Sequence, residues 1–258
     1  MSGGTVHLSI EGGVASVTFD RPQARNAMTW AMYERLGQIC GQLQGDASVR
    51  LVTFRGAGGE AFVAGTDIEQ FRSFQSGEDG VAYEQRIDQC IQRLESLPMP
   101  SVAVIEGWAI GGGLAIATAC DFRIATPASR FGVPIAKTLG NCLSVANLAR
   151  LSAVFGMPRV KRMLMLAEIL AADEALDCGF LIQINEVGEL DAALARLCER
   201  LGALAPLTQS VTKEGLRRLA TQGLPPDEDL IRSCYGSDDF REGVDAFAGK
   251  RRPVWKGC

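Results

Sequence analysis

The chain has 258 residues, of which 47% are hydrophobic and 22% are charged, and this composition excludes a largely disordered or fibrous protein. A chain of this length buries enough surface to be stable without disulfides or a structural metal. The formal net charge is −4, from 26 basic and 30 acidic residues. No overall positive field is available to attract nucleic acid, so we expect no nucleic-acid partner.

The sequence also argues against a membrane span and a secretion signal. The longest uncharged apolar run, residues 107–120, is shorter than the roughly 20 residues that a spanning helix needs. The N-terminus has no charged segment followed by an apolar stretch. The eight cysteines, including Cys258, are scattered and form no CxxC pair. We therefore expect a cytoplasmic protein with reduced cysteines and no membrane association.

A single histidine, His7, limits the chemistry that the chain can perform. A metal site built from several histidines needs residues that the sequence lacks, and a Ser–His–Asp triad could form only if the segment of His7 approached the site. We expect His7 to be an alternating residue on an early strand and expect no bound metal.

The first predicted elements are a β-hairpin, a helix and a buried strand. Residues 6–10 and 14–19 are β-rich runs separated by a short segment with two glycines, which is typical of a hairpin. Thr29 can cap a helix that runs to about residue 43, because the apolar residues there recur at three- and four-residue steps. Residues 51–54 then form a buried strand.

The second half of the chain changes character. A charged helix over about residues 81–97 ends at Pro98, and residues 101–105 and 122–125 are predicted strands. Beyond about residue 143 the pattern is almost entirely helical, with a late helix starting at Pro206. Strand–helix alternation followed by a run of helices predicts an α/β core with a helical C-terminal part.

Two glycine-containing loops are the candidates for chemistry. They span residues 61–68 and 105–114, and each follows a predicted strand and precedes a predicted helix. Glycines leave backbone N–H groups uncovered, and at a helix N-terminus these groups have no intrahelical partner. Two facing loops could hold an oxyanion between backbone donors, or the glycines could simply permit tight packing. Three consecutive glycines do not match the GxGxxG dinucleotide-binding pattern.

Several short segments occur in a characteristic order along nearly the whole chain. They are Asp20-Arg21-Pro22 with Asn26-Ala27-Met28, residues 62–68, residues 107–113 with Cys120-Asp121, Phe131-Gly132 with Pro134, and residues 240–243 with 255–257. Each segment is weak evidence by itself, but together they make the chain resemble the crotonase superfamily, which is the enoyl-CoA hydratase/isomerase family.

This resemblance implies an α/β fold with a crotonase-type ββα spiral core and a helical C-terminal trimerisation region. We place the core in residues 1–195 and the helical region in residues 196–258. The implied assembly is a homotrimer, or a hexamer made of two trimers. The implied substrate is an acyl-CoA thioester, and no cofactor is expected because CoA is part of the substrate.

The resemblance also implies site residues. Family members polarise the thioester carbonyl with two backbone N–H groups, which by position are those of Thr66 and Gly112. The residues expected to bind substrate are Arg25, Ala64, Thr66, Asp67, Ile68, Glu69 and Gly112. Asp67 could instead brace its own loop. Arg25, Lys250, Arg251 and Lys256 could reach the CoA phosphates, or the basic tail could be a solvated surface.

The sequence departs from the family where water would be activated. Hydratases of this family use two glutamates, and the corresponding positions here are Ala115 and Ile135. Glu69 or Glu106 could supply a substitute acid. The loop after the second position carries Asn141, Cys142 and Ser144, which could orient water or line the acyl pocket.

Three functions follow from these residues. The first is an acyl-CoA-processing enzyme of the lyase or isomerase class that stabilises a thioester enolate, with hydration by a glutamate pair doubtful. The second is a catalytically inactive acyl-CoA-binding protein, which the loss of both glutamates favours. The third is a structural protein with no ligand.

Overall fold

A computed structural model describes residues 3–224 and 226–257. The C-terminal cysteine, Cys258, lies outside these residues. The described strands are β1 (Thr5–Glu11), β2 (Val14–Asp20), β3 (Leu51–Gly56), β4 (Ala61–Val63), β5 (Ser101–Ile105), β6 (Trp108–Ile110), β7 (Phe122–Ala125), β8 (Arg130–Gly132), β9 (Ile169–Ala171) and β10 (Gln183–Ile184).

The described helices lie between and after these strands, together with loops and short 3-10 turns. They are α1 (Trp30–Gln44), α2 (Gly77–Glu95), α3 (Gly112–Ala119), α4 (Val145–Met165), α5 (Ala172–Asp177), α6 (Leu190–Gly202), α7 (Pro206–Thr221), α8 (Glu228–Tyr235) and α9 (Asp238–Ala248). No helix within the described ranges is both long enough and apolar enough to cross a membrane.

The larger sheet has six strands in the order β1-β2-β3-β5-β7-β10. The hairpin of β1 and β2 is antiparallel, and the other pairs are parallel. Gly12 and Gly13 both have positive φ, which is the backbone geometry that a tight two-residue hairpin requires. The predicted hairpin and the strands predicted at residues 51–54, 101–105 and 122–125 are therefore confirmed.

The two faces of β5 serve different parts of the core. Val102 and Val104 pack with Leu190 and Leu201 of α6, whereas Ala103 and Ile105 belong to the main hydrophobic cluster. All five residues of β5 are buried, as expected for a parallel strand that is covered on both faces.

The smaller sheet has the order β4-β6-β8-β9. Its first three strands are parallel, and β9 runs antiparallel to β8. Because β4 and β6 are adjacent and parallel, the loops that follow them leave the sheet at the same edge. This edge places the two glycine-containing loops side by side.

The helix boundaries agree in part with the predicted ones. Thr29 caps α1 by accepting a hydrogen bond from the N–H of Met32 at 3.3 Å, and Pro206 is the first residue of α7, as predicted. Helix α2 starts at Gly77, four residues before the predicted position. A capping box between Ser76 and Asp79 stabilises this earlier start.

The C-terminal half contains most of the helices. Helix α6 runs from Leu190 to Gly202, so the boundary predicted between residues 195 and 196 falls inside one helix. The short strands β9 and β10 also lie where the sequence predicted helix. They have three and two residues, which is too short for an alternating pattern to be visible in the sequence.

Candidate active site

A pocket of about 460 Å³ lies where the edge of β4 and β6 meets helices α2, α3 and α4. Its wall includes both glycine-containing loops, together with side chains from all three helices. The two loops carry the predicted backbone donors.

The two loops are in direct contact. A Cβ atom added to Gly113 would lie 1.9 Å from the carbonyl oxygen of Val63, and one added to Gly112 would lie 3.2 Å from Oγ1 of Thr66. A backbone oxygen cannot move aside cheaply, so position 113 accepts only glycine. The glycine loop therefore allows α3 to start directly against the loop that follows β4.

The local backbone hydrogen bonds of the described residues do not use the N–H groups of Thr66 and Gly112. Gly112 is the first residue of α3, so its N–H has no carbonyl one turn earlier in the helix to bond to. On the other loop, the Met28 N–H donates to the Gly65 carbonyl and the Asp67 N–H donates to the Met28 carbonyl, each at 2.9 Å. This bridge directs the N–H of Thr66 away from Met28.

Buried polar contacts brace the loop that carries Thr66. Asn26 is fully buried; its side chain accepts from the N–H of Arg21 at 2.9 Å and donates to the carbonyls of Ala57 and Ala61 at 2.9 and 2.8 Å. Asp67 forms an ion pair with Arg21 at 2.8 Å. A buried amide with all its partners present holds this loop in one conformation.

Two tyrosines hold the side chain of Thr66. Its hydroxyl lies 2.8 Å from the hydroxyl of Tyr33 and 3.0 Å from that of Tyr83. Burial raises the pKa of both tyrosines above the ordinary value, so both phenols stay neutral at physiological pH. This chain of hydroxyls links the first loop to α1 and α2.

Five of the seven residues predicted to bind substrate line the pocket. They are Arg25, Ala64, Thr66, Ile68 and Gly112. Asp67 and Glu69 do not line it. Asp67 instead accepts a hydrogen bond from the N–H of Glu69. This contact agrees with the alternative that Asp67 braces its own loop. Glu69 points to the surface, where it pairs with Arg72 at 2.8 Å.

Apolar side chains occupy both positions at which the family carries glutamates. Ala115 and Ile135 line the pocket and pack against the main core. Glu106 does not replace the missing carboxylates, because it lies outside the pocket wall and pairs with Arg55 at 2.7 Å. Of the loop residues, Asn141 lines the pocket, while the Ser144 hydroxyl caps α4.

Sequence reasoning missed a buried carboxyl group, that of Glu84 on α2. Glu84 is 2% exposed and is the one acidic residue among the described residues that line the pocket. The Tyr235 hydroxyl donates to its Oε1 at 2.6 Å, and the Ser144 N–H donates to its Oε2 at 3.0 Å. Burial raises the pKa of Glu84 to about 8.

A signal for Glu84 was present in the sequence. Val81, Ile87 and Ile91 belong to the buried stripe of α2. Glu84 lies three residues after Val81 and three residues before Ile87. A glutamate on an apolar helical stripe is uncommon unless it has a partner or a function.

Two of the basic C-terminal residues make contacts within the chain, one through its side chain and one through its backbone. Arg251 pairs with Glu242, and the backbone N–H of Lys256 donates to Asp239 at 2.6 Å. Arg25 lines the pocket, whereas Lys250, Arg251 and Lys256 do not. Contact between this tail and CoA phosphates stays a prediction.

Comparison with known proteins decides the family. The sequence model described as enoyl-CoA hydratase/isomerase matches residues 9–258. The chain belongs to the enoyl-CoA hydratase/isomerase family. It is an acyl-CoA-processing enzyme of that family, and its mixed α/β architecture with a helical C-terminal region is the crotonase fold predicted from the sequence.

Individual relatives match over almost the full chain. The short-chain-enoyl-CoA hydratase of Clostridium acetobutylicum is 32% identical over 251 residues, covering 96% of this chain and 95% of the relative. A solved enoyl-CoA hydratase/carnithine racemase from Magnetospirillum magneticum is 32% identical, with a TM-score of 0.80 and coverage of 98% and 96%. A methylmalonyl-CoA decarboxylase in complex with 2-nitronate-propionyl-CoA is 26% identical, with a TM-score of 0.90 and 98% of each chain covered.

Proposed function

We propose that this enzyme binds an acyl-CoA thioester with its carbonyl oxygen between the backbone N–H groups of Thr66 and Gly112, and that these donors stabilise a thioester enolate. The observation that carries this proposal is the contact between the two loops at the pocket wall. Thr66 Oγ1 would lie 3.2 Å from a Cβ on Gly112, and both residues line the pocket.

Two such donors suit the chemistry of a thioester. Removal of a proton from the α-carbon puts negative charge on the carbonyl oxygen, and fixed N–H groups aimed at that oxygen stabilise the charge as it develops. One donor of this kind contributes about 2.7–4 kcal/mol, or about 10²–10³ in rate. The start of α3 adds the positive end of the helix dipole on the same side.

Ordinary hydration by a glutamate pair does not fit this pocket. Ala115 and Ile135 carry no proton-transferring group, and both contribute apolar surface. This observation favours a second candidate function, in which the protein binds acyl-CoA without turnover. The oxyanion site would then serve recognition only.

A carbonyl label tests the oxyanion site without requiring turnover. Butyryl-CoA carrying ¹³C at the thioester carbonyl is expected to show a downfield NMR shift on binding, since hydrogen bonding to the oxygen polarises the carbonyl. Gly112→Pro removes one donor, and proline is compatible with the first position of a helix. A Cβ at this position would lie 2.4 Å from the Tyr33 hydroxyl, so the substitution is made together with Tyr33→Phe.

The matched control is Tyr33→Phe with Gly112→Ala, which adds the same Cβ and keeps the N–H. We expect the alanine variant to retain most of the downfield shift and the proline variant to lose most of it. Binding of free CoA, measured by calorimetry, verifies that both variants are folded. An equal shift in the two variants would contradict the role of Gly112.

We also propose that the helical C-terminal region assembles the enzyme into a trimer or a hexamer. Helix α7 exposes Leu207, Val211 and Leu219, each more than 60% accessible, at four- and eight-residue steps on one side. An apolar stripe of this kind is typical of a protein–protein contact. Light scattering should give three or six times the mass of the chain, and a monomer at micromolar concentration would contradict this proposal.

A further inference from the structure

We propose that Glu84 is the catalytic residue that removes and returns the proton at the α-carbon of the bound acyl group. This inference rests on the proposed thioester site, and it assigns proton transfer to a residue outside the two family positions. It follows from where α2 places Glu84 and from what holds its carboxyl group.

Helix α2 touches both parts of the site. Tyr83 reaches the donor loop, since its hydroxyl lies 3.0 Å from Oγ1 of Thr66. The next residue along the helix is Glu84, and it lines the same pocket. One rigid element therefore carries the contact to the oxyanion loop and the pocket carboxyl group, which fixes their relative position.

Two separate segments, the loop before α4 and helix α8, orient the carboxyl group. Tyr235 on α8 donates to Oε1, and the N–H of Ser144 donates to Oε2. The side-chain amide of Asn141 donates in turn to the Tyr235 hydroxyl at 3.1 Å. The Tyr235 hydroxyl thus has both an acceptor and a donor partner. A buried carboxyl group held in this way has little freedom to rotate, which suits proton transfer in a defined direction.

The surroundings of Glu84 favour its neutral form. Burial is the largest cause, and the carboxyl groups of Asp88 on its own helix and Asp227 just before α8 add to it. The other titratable groups that face Glu84 are Cys142 on the loop before α4 and the phenols of Tyr33, Tyr83 and Tyr235. Of these, Tyr235 acts in the opposite direction, because its hydroxyl donates a hydrogen bond to Glu84.

No basic side chain of the described ranges forms an ion pair with Glu84. The nearby Arg150 is already paired with Asp88 and Glu95, each at 2.9 Å. The raised pKa of Glu84, about 8, lies in the range where a carboxyl group exchanges protons efficiently near neutral pH.

The proton-transfer step balances without a further reactant. The ionised carboxylate of Glu84 takes the α-proton, the C–H bond breaks, and its electron pair moves into the enolate whose oxygen lies between the two N–H donors. Return of a proton from Glu84 to the α-carbon restores the thioester. In heavy water the carboxyl proton exchanges with solvent, so a deuteron is returned.

Deuterium incorporation into butyryl-CoA in heavy water therefore tests the role of Glu84. Mass spectrometry of the recovered thioester is expected to show incorporation with the wild-type enzyme and a rate that rises through about pH 8, as Glu84 ionises. Glu84→Gln should lower the rate by about 100-fold or more. Glu78→Gln is the matched control, since Glu78 lies on the same helix but outside the pocket and pairs with Arg232 at the surface, and its rate should equal that of the wild type.

Tyr235→Phe keeps the test decisive if Glu84→Gln fails to fold. The Tyr235 hydroxyl stabilises the ionised form of Glu84, so its removal should move the midpoint of the pH–rate profile to higher pH. A purely structural contact would lower the amount of folded enzyme without moving the midpoint.

The possible failures are distinguishable. A wild-type enzyme that shows the carbonyl shift but incorporates no deuterium overturns the role of Glu84 and leaves the thioester site intact. Incorporation that persists in folded Glu84→Gln overturns it as well. Absence of both acyl-CoA binding and the carbonyl shift contradicts the proposed function itself.

Discussion

The two parts of the proposed active site are built in different ways. The donor loops, residues 64–66 and 111–113, present backbone N–H groups and depend on glycines and on a sheet edge. The carboxyl cluster of Glu84, Ser144 and Tyr235 presents a side chain, and it depends on partners that lie 60 and 151 residues from Glu84 in the sequence. The donor loops can be recognised from a short local pattern, whereas the carboxyl cluster exists only once α2, α4 and α8 are packed together.

This difference suggests how one fold can support several reactions. The donor loops are fixed by the sheet and tolerate little change, since position 113 has no room even for a methyl group. The carboxyl group can be supplied from another part of the pocket wall. In this enzyme the two family positions are Ala115 and Ile135, and the pocket carboxyl comes from α2.

The largest expected effect is on the donor loops. Gly113→Ala places a Cβ 1.9 Å from the carbonyl oxygen of Val63, so α3 must shift away from β4. We expect a loss of about 3 kcal/mol in the free energy of unfolding, at the upper end of overpacking costs, and weaker acyl-CoA binding because the two donors separate.

Gly215→Ala is the matched control for this substitution. Gly215 lies within α7, where no atom of the described residues comes within 4 Å of its added Cβ, and alanine favours helix by about 1 kcal/mol. Urea unfolding should therefore show that Gly113→Ala lowers the free energy of unfolding and that Gly215→Ala leaves it unchanged or raises it. Equal stability of the two variants would show that the loops are not packed as described.

A second effect is expected in the carboxyl cluster, and it appears only as the pH changes. Glu84 keeps its proton up to about pH 8 in the folded protein, against an ordinary value of 4.5. Folding therefore takes up a proton between pH 4.5 and about pH 8. The contribution of Glu84 to stability is complete below pH 4.5 and is lost as the pH rises through about 8.

Glu84→Gln removes this proton uptake. The fall in wild-type stability between about pH 5 and pH 8 should become smaller in the variant by about 3 kcal/mol. Urea unfolding of both proteins at several pH values measures the difference, and other titrating groups cancel because both chains share them. Parallel stability curves would contradict the raised pKa of Glu84.

The sequence predicted the elements whose signals are local. The hairpin turn at Gly12 and Gly13, the Thr29 cap and the start of α7 at Pro206 each depend on a few neighbouring residues. The family motifs also indicated which residues approach the thioester, and the structure brings Thr66 and Gly112 together at the pocket. Local chemistry of this kind is visible without the fold.

The features that the sequence did not predict depend on distant partners. Strand β10 exists because β7 offers a free edge for pairing. Glu84 is recognisable as a pocket residue only when Ser144 and Tyr235 are known to contact it. Glu69, in contrast, follows a family motif closely, yet it pairs with Arg72 at the surface.

The most direct test of the central claim is a crystal structure of the enzyme with butyryl-CoA bound. The account predicts that the thioester oxygen lies about 2.7–3.1 Å from the backbone nitrogens of both Thr66 and Gly112. A thioester oxygen bound in the same pocket but outside hydrogen-bond distance of either nitrogen would contradict it.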